Sequence, residues 1–164
     1  MRNARLPYAF ALCLLAVGCA TVPKMSPMQF RHISTRLIEG RYDNVFRSAM
    51  TVLQDNGYII KQTNMDTGLI TAEVNREISS VFQVLQVIGS KQQQIRNKGT
   101  LVEASAVVSK ISDTNTEVRI TIQERTYTAS GGTSRVRQLR DATIYKKLFD
   151  DITIEVRRRE AMGG

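Results

Sequence analysis

Val118-Arg119-Ile120-Thr121-Ile122-Gln123 (VRITIQ, 118–123) alternates apolar and polar residues without a break. Successive side chains of a strand point to opposite faces, so the pattern predicts a strand buried on one side and wet on the other. The pattern continues on both flanks. Upstream, Thr100–Ile111 places Val102, Ala104, Ala106 and Val108 on one side, and Asp113-Thr114-Asn115 turns the chain. Downstream, Gly131-Gly132 is a hairpin signal, followed by a short strand Thr133–Leu139 with Arg135 and Arg137 on one face. Three β-prone runs joined by turns predict antiparallel pairing.

Further out the period changes. Tyr42, Val45, Phe46, Ala49, Met50 and Leu53 recur at three and four residues, the stripe of an amphipathic helix. Asp43 stands where a carboxylate accepts from free amides, and Asn56-Gly57 supplies a left-handed stop. Ile144, Leu148, Ile152 and Val156 recur every four residues beside Tyr145 and Phe149, so Asp141 caps a last helix. That helix ends in Arg157-Arg158-Arg159, positive charge where its dipole favours it. Between the helices, Tyr58-Ile59-Ile60 begins a strand, Asp66-Thr67-Gly68 turns, and Leu69–Val74 returns. Phe30–Ile38 (FRHISTRLI) reads as a first strand with Ile33 and Leu37 on one face, broken by Gly40.

Residues 77–97 behave differently. Val81, Phe82, Val84, Leu85, Val87 and Ile88 are dense, and the polar run KQQQ (91–94) follows. Val81, Leu85 and Ile88 share a helical face, although a run of Val and Ile also fits a strand. Its place between strands predicts an inserted helix near 78–96. Three roles fit such a segment: a third core helix, a surface for a partner protein or for self-association, or a contact with membrane or apolar ligand. The whole order predicts an α+β fold: a two-layer sandwich with an antiparallel sheet of about 5–6 strands on two amphipathic helices.

The start of the chain carries an address. Arg2 and Arg5 precede an apolar run from Leu6 to Val17, and small residues lead to Cys19. A basic start, a short apolar stretch and a small-residue cut site make a secretory signal peptide. The apolar run falls short of the roughly 20 residues a membrane-spanning helix needs. Leu14-Leu15-Ala16-Val17-Gly18-Cys19 resembles the lipobox of bacterial lipoproteins, with Ala16 where Leu is usual. That resemblance implies acyl chains on Cys19, cleavage just before it, and residues 1–18 as a lipoprotein signal. Ala20, rather than an acidic residue, implies sorting to the outer membrane instead of retention in the inner one.

Residues 19–29, with Pro23 and Pro27, then read as a lipidated tether, and 30–160 as a single α+β periplasmic domain. Cys13 leaves with the signal, so Cys19 is the only cysteine that remains, and a disulfide or thiolate metal site is excluded. Cleavage also removes Arg2 and Arg5, leaving 21 basic against 15 acidic side chains. Such a balance suits anionic lipid or acidic envelope proteins, or is simply a solvated face. An exported, tethered chain without Trp offers little for nucleic acid.

Phe30–Arg36, the stretch Val52–Ile60 (VLQDNGYII), Asp66–Ala72 (DTGLITA), Val118–Glu124 and Ile144–Phe149 together resemble a group of uncharacterised proteobacterial outer-membrane lipoproteins. The resemblance covers most of the chain after Cys19, and its signature positions are structural. The unit of a helix, a GYxI strand and a strand entered through Asp66-Thr67-Gly68 is also similar to the helix-grip modules of the barrel-assembly lipoprotein BamC. That likeness implies a fold and carries little about function.

Candidate chemistry is sparse. His32, the only histidine, sits on the predicted first strand without a serine elbow or an acid at a diagnostic spacing. Asp150 and Asp151 are neighbours on a helix and point about 100° apart, so with Asp141 they do not converge on a metal or a hydrolytic water. Gly131-Gly132 lacks the spacing and the lysine of a phosphate loop. No cofactor, metal or enzyme activity is expected. The arginines offer more: Arg119 and Arg125 share a sheet face, and pairing of 116–127 with 133–139 predicts Arg135 and Arg137 beside them. Such a patch would suit phosphates or carboxylates, or would only keep a sheet face soluble. The expected function is a non-catalytic outer-membrane lipoprotein that binds or scaffolds envelope components. The alternative is a carrier that grips a lipid or other apolar ligand between sheet and helices.

Overall fold

Alternation in the sequence becomes alternation in burial. The computed structural model describes residues 25–75, 100–127 and 132–163. Within them run α1 (Pro27–Ser34), β1 (Thr35–Glu39), α2 (Tyr42–Asp55), β2 (Ile59–Asn64) and β3 (Leu69–Asn75). After residues 76–99 come β4 (Thr100–Lys110), β5 (Asn115–Tyr127), β6 (Thr133–Gln138) and α3 (Ala142–Ala161). All strand pairings are antiparallel, in the order β1-β5-β4-β3-β2, with β6 also on β5. This is the expected α+β architecture of a sheet packed on helices. The inserted helix expected near 78–96 lies outside the described residues.

Register fixes one buried face. Val102, Ala104, Ala106 and Val108 of β4 pair with Glu124, Ile122, Ile120 and Val118 of β5. On the other side, Val102, Ala104 and Ala106 pair with Val74, Ala72 and Ile70 of β3. Against this face α2 buries Val45, Ala49, Val52 and Leu53, and α3 buries Ile144, Leu148, Ile152 and Val156. Apolar area withdrawn from water, at roughly 25 cal/mol per Å², is the main force holding the layers together. The opposite, odd-numbered face has no described helix over it.

The first expected strand is corrected. Phe30–Ile38 is split at Ser34, with a helix before and a strand after. Ser26 Oγ accepts from the Gln29 N–H (3.2 Å), Gln29 Oε1 accepts from the Ser26 N–H (2.8 Å), and Pro27 fills the first helical position. This reciprocal cap starts a helix inside the stretch expected as tether. His32 is therefore on the last turn of α1 and exposed. Ile33 packs on the core from the helix, whereas Leu37 of β1 is 57% exposed, so the two share no strand face. At α2 the helix begins after Arg41 with no side-chain cap; Asp43 sits in the first turn and pairs with Arg41 at 3.4 Å. At the start of α3, by contrast, Asp141 does cap, accepting from the Thr143 N–H at 2.8 Å.

The two sheet edges differ. β2 is a single strand, bulged where Ile60 opposes Ala72 and Gln62 opposes Thr71. Its hairpin to β3 turns through Gly68 at φ +69°, where a Cβ would stand 1.9 Å from the Val108 carbonyl oxygen. At the other edge β1 and β6 lie end to end along β5, pairing with residues 115–119 and 123–127. Between them the backbone of Ile122 is completed from elsewhere. Its carbonyl accepts from the Leu139 N–H (2.9 Å), and its N–H donates to the Tyr145 hydroxyl (3.2 Å). That hydroxyl donates to the Leu139 carbonyl (2.9 Å), and Phe30 of α1 meets the Tyr145 ring edge-on at 5.7 Å.

Candidate binding surfaces

The open sheet face is built from odd-numbered residues of β3, β4 and β5, each pointing away from the helices. Across it, Thr71, Ser105 and Thr121 form one row, and Leu69, Val107, Arg119 and Thr35 another. Charges are mostly paired within the face. Lys61 Nζ lies 2.5 Å from Glu73, and Arg125 lies 3.0 Å from Glu103. Arg119 is exposed and makes no ion pair among the described residues. Leu37, Ile59 and Val136 add exposed apolar surface at 57%, 66% and 54%.

The expected four-arginine patch does not form. Arg125 opposes Val136 in the β5–β6 register, so Arg135 opposes Thr126 and Arg137 opposes Glu124. Directly opposed residues share a face. Arg119 and Arg125 stand on the open face, while Arg135 and Arg137 stand on the helix side. Arg137 is also engaged: its guanidinium donates twice to Glu124 Oε2, at 3.0 and 2.5 Å, and the Glu124 side chain is only 6% exposed. Charge-assisted bonds of this kind hold a carboxylate that would otherwise be costly to bury. Cys19, Val81, Leu85 and Ile88 lie outside the described residues.

The remaining candidates are accounted for locally. Asp150 accepts from Lys146 at 2.5 Å and Arg36 at 3.4 Å, and Asp151 from Lys147 at 2.6 Å. The bond from Lys146 chiefly, opposed by burial and aided by the charges of Lys146 and Arg36, holds the Asp150 carboxyl below its usual range. Among the described residues no group of three or more His, Cys, Asp or Glu is placed to hold a metal ion. Burial pushes the Tyr145 hydroxyl up to about 12, against smaller opposing effects of the Ile122 N–H and the Arg140 charge. It stays neutral at ordinary pH and can donate and accept at once. A surface groove of about 310 Å³ runs between the start of α2 and the end of α3, lined by Asp43, Asn44, Arg47, Arg159, Met162 and Gly163. Arg159 in it is tied to Glu155 (3.0 Å) and Thr51 (2.9 Å). None of the described helices is long and apolar enough to cross a membrane.

One cluster was not anticipated from the sequence. Arg140 lies 5.4 Å over the Phe30 ring and donates to the Met25 carbonyl at 2.9 Å, clamping α1 to the loop before α3. The Ser26–Gln29 capping pattern was the available signal for α1; nothing local links it to Arg140.

No family model and no curated protein matches the chain. Among solved structures, a DUF4468 family protein from Bacteroides ovatus is similar over 74% of this chain and 84% of its own, at 9% identity and a TM-score of 0.41. A likeness at that level carries no argument about this chain's function.

Proposed function

We propose that the chain is a non-catalytic lipoprotein, anchored in the outer membrane by acyl chains on Cys19, whose domain binds an envelope component from the periplasmic side. The observation that carries the reading is the open sheet face: a broad surface of six strands, free of any described helix, with Arg119, Leu37 and Ile59 exposed on it. A monomeric soluble domain gains by covering such a surface, and mixed apolar and charged surfaces are suited to protein partners. A surface binder is favoured over a carrier because the layer between the sheet and helices α2 and α3 is filled by buried side chains.

The test is crosslinking of the full-length lipidated protein in native membranes, followed by purification and mass spectrometry for proteins and co-bound lipid. The expected result is a near-stoichiometric envelope protein that is lost in an Arg119→Glu, Leu37→Asp variant. A recurring lipid without any protein would overturn the scaffold reading in favour of the carrier. A partner retained by that variant but lost when Val81, Leu85 and Ile88 are made polar would move the binding surface off the open face.

A further inference from the structure

Residues 20–38, with Lys24, Arg31 and Arg36, and residues 126–140, with Arg135, Arg137 and Arg140, contain no carboxylate. The fold brings their described parts to one edge of the sheet. β1 and β6 share that side of β5, and α1 leans over the junction between them through Phe30 on Tyr145. Arg140 closes the arrangement by holding the Met25 carbonyl and the Phe30 ring. At this edge lie Arg31, Arg135 and Arg140, all exposed, and Met28 at 83% exposure. Three nearby acids are engaged locally, and Glu39, which is exposed, lies at the far end of β1. Glu124 binds Arg137, Asp141 caps α3, and Asp150 binds Lys146 and Arg36.

The chain before this edge is short. Met25 follows Cys19 by six residues, which span at most about 20 Å when fully extended. An acylated Cys19 therefore keeps α1 close to the lipid headgroups. β2, on the far edge of the sheet, is four strand spacings away, roughly 19 Å at 4.8 Å each.

We propose that the α1–β6 edge is a bilayer-contact surface, with Met28 entering the headgroup layer and Arg31 and Arg135 taking anionic lipid phosphates. The proposal rests on the lipid-anchored reading and adds an orientation to it. Basic clusters beside an anchor are drawn to anionic leaflets, and guanidinium groups match phosphate oxygens in pairs. With this edge down, the plane of the sheet stands upright and the open face looks sideways, toward neighbours anchored in the same membrane.

The mature acylated protein, reconstituted into vesicles, tests this. Acylation consumes the Cys19 thiol, so a cysteine introduced by Met28→Cys or Thr63→Cys is the only site for a fluorophore. Quenching by a lipid-borne quencher is compared in phosphatidylcholine alone and with about 30% phosphatidylglycerol added. With anionic lipid, the label at 28 is expected to be quenched about threefold more than the label at 63, and an added Arg31→Glu, Arg135→Glu pair to erase that difference. Equal quenching at both positions, whatever the lipid charge, overturns the contact surface alone. An intact mass without acyl groups on Cys19 overturns the anchor reading and this proposal with it. A label at 28 that stays unquenched but crosslinks to a protein in native membranes assigns the edge to a protein and overturns the lipid contact.

Discussion

On β5 the two faces of the sheet can be compared residue by residue. Val118, Ile120 and Ile122 are at most 1% exposed, while Arg119, Thr121, Gln123 and Arg125, interleaved with them, are half-buried or exposed. The backbone is common to both sets; only parity separates them. The buried set makes a one-residue slip prohibitive, because a slip would send every apolar side chain to water. The open set tolerates change, since its charges are mostly neutralised across strands and solvated. Stability is stored on one face, which leaves the other available for recognition.

The sharpest way to break that comparison is to truncate both faces of the same strand. Ile122→Ala is expected to cost about 2–5 kcal/mol, and Arg119→Ala to stay within about 0.5 kcal/mol of the parent. Urea unfolding midpoints at unchanged slope measure both, and equal losses would refute the division of labour. Next comes Tyr145→Phe, which keeps the ring but leaves the Ile122 N–H and the Leu139 carbonyl without their shared hydroxyl. A loss of about 1–3 kcal/mol is expected, with faster hydrogen exchange at Ile122; an unchanged midpoint would mean that the junction of β1 and β6 does not depend on it.

The smallest effect belongs to the helix layer. The Glu155 carboxyl lies below its usual 4.5, chiefly through the bond from Arg158, with the charges of Arg158 and Arg159 adding to it and burial opposing it. Unfolding therefore takes up a proton at this site in mild acid. The stabilisation is complete above about 4.5 and is lost as pH falls from there through the lower folded value. Glu155→Gln should flatten the acid side of a melting-temperature profile between pH 5 and 3, an expected range taken from ordinary carboxylate values of about 4. A profile identical to the parent would remove Glu155 from the account of acid stability.

Much of the fold was legible because local period and tertiary burial agree. β4, β5, α2 and α3 each carry one unmixed pattern, and the turn at Gly68 and the cap at Asp141 mark their neighbours. Phe30–Ile38 misled because it contains two elements in nine residues, and too few apolar side chains to show either period. The capping pair at Ser26 and Gln29 outweighed strand propensity there. The arginine patch failed for another reason. Parity holds within a strand, so Arg119 was rightly grouped with Arg125, and Arg135 with Arg137. Which group stands beside which depends on the register across the turn between β5 and β6, and that register sets Val136, not an arginine, opposite Arg125. The clamp of Arg140 on Met25 and Phe30 joins residues far apart in the chain, and no local signal announces such a contact.

The placement of β1 has a consequence for the order in which the molecule is made. Thr35 pairs with Arg119, and Phe30 rests on Tyr145, so the first described elements complete their contacts with some of the last. Synthesis runs from the amino terminus, and β1 waits for β5 while α1 waits for α3. Meanwhile β4 and β5, joined by a short turn, need close only a small loop to pair, at far less entropic cost than β1 must meet. The end of the domain that is synthesised first is among the last to be secured.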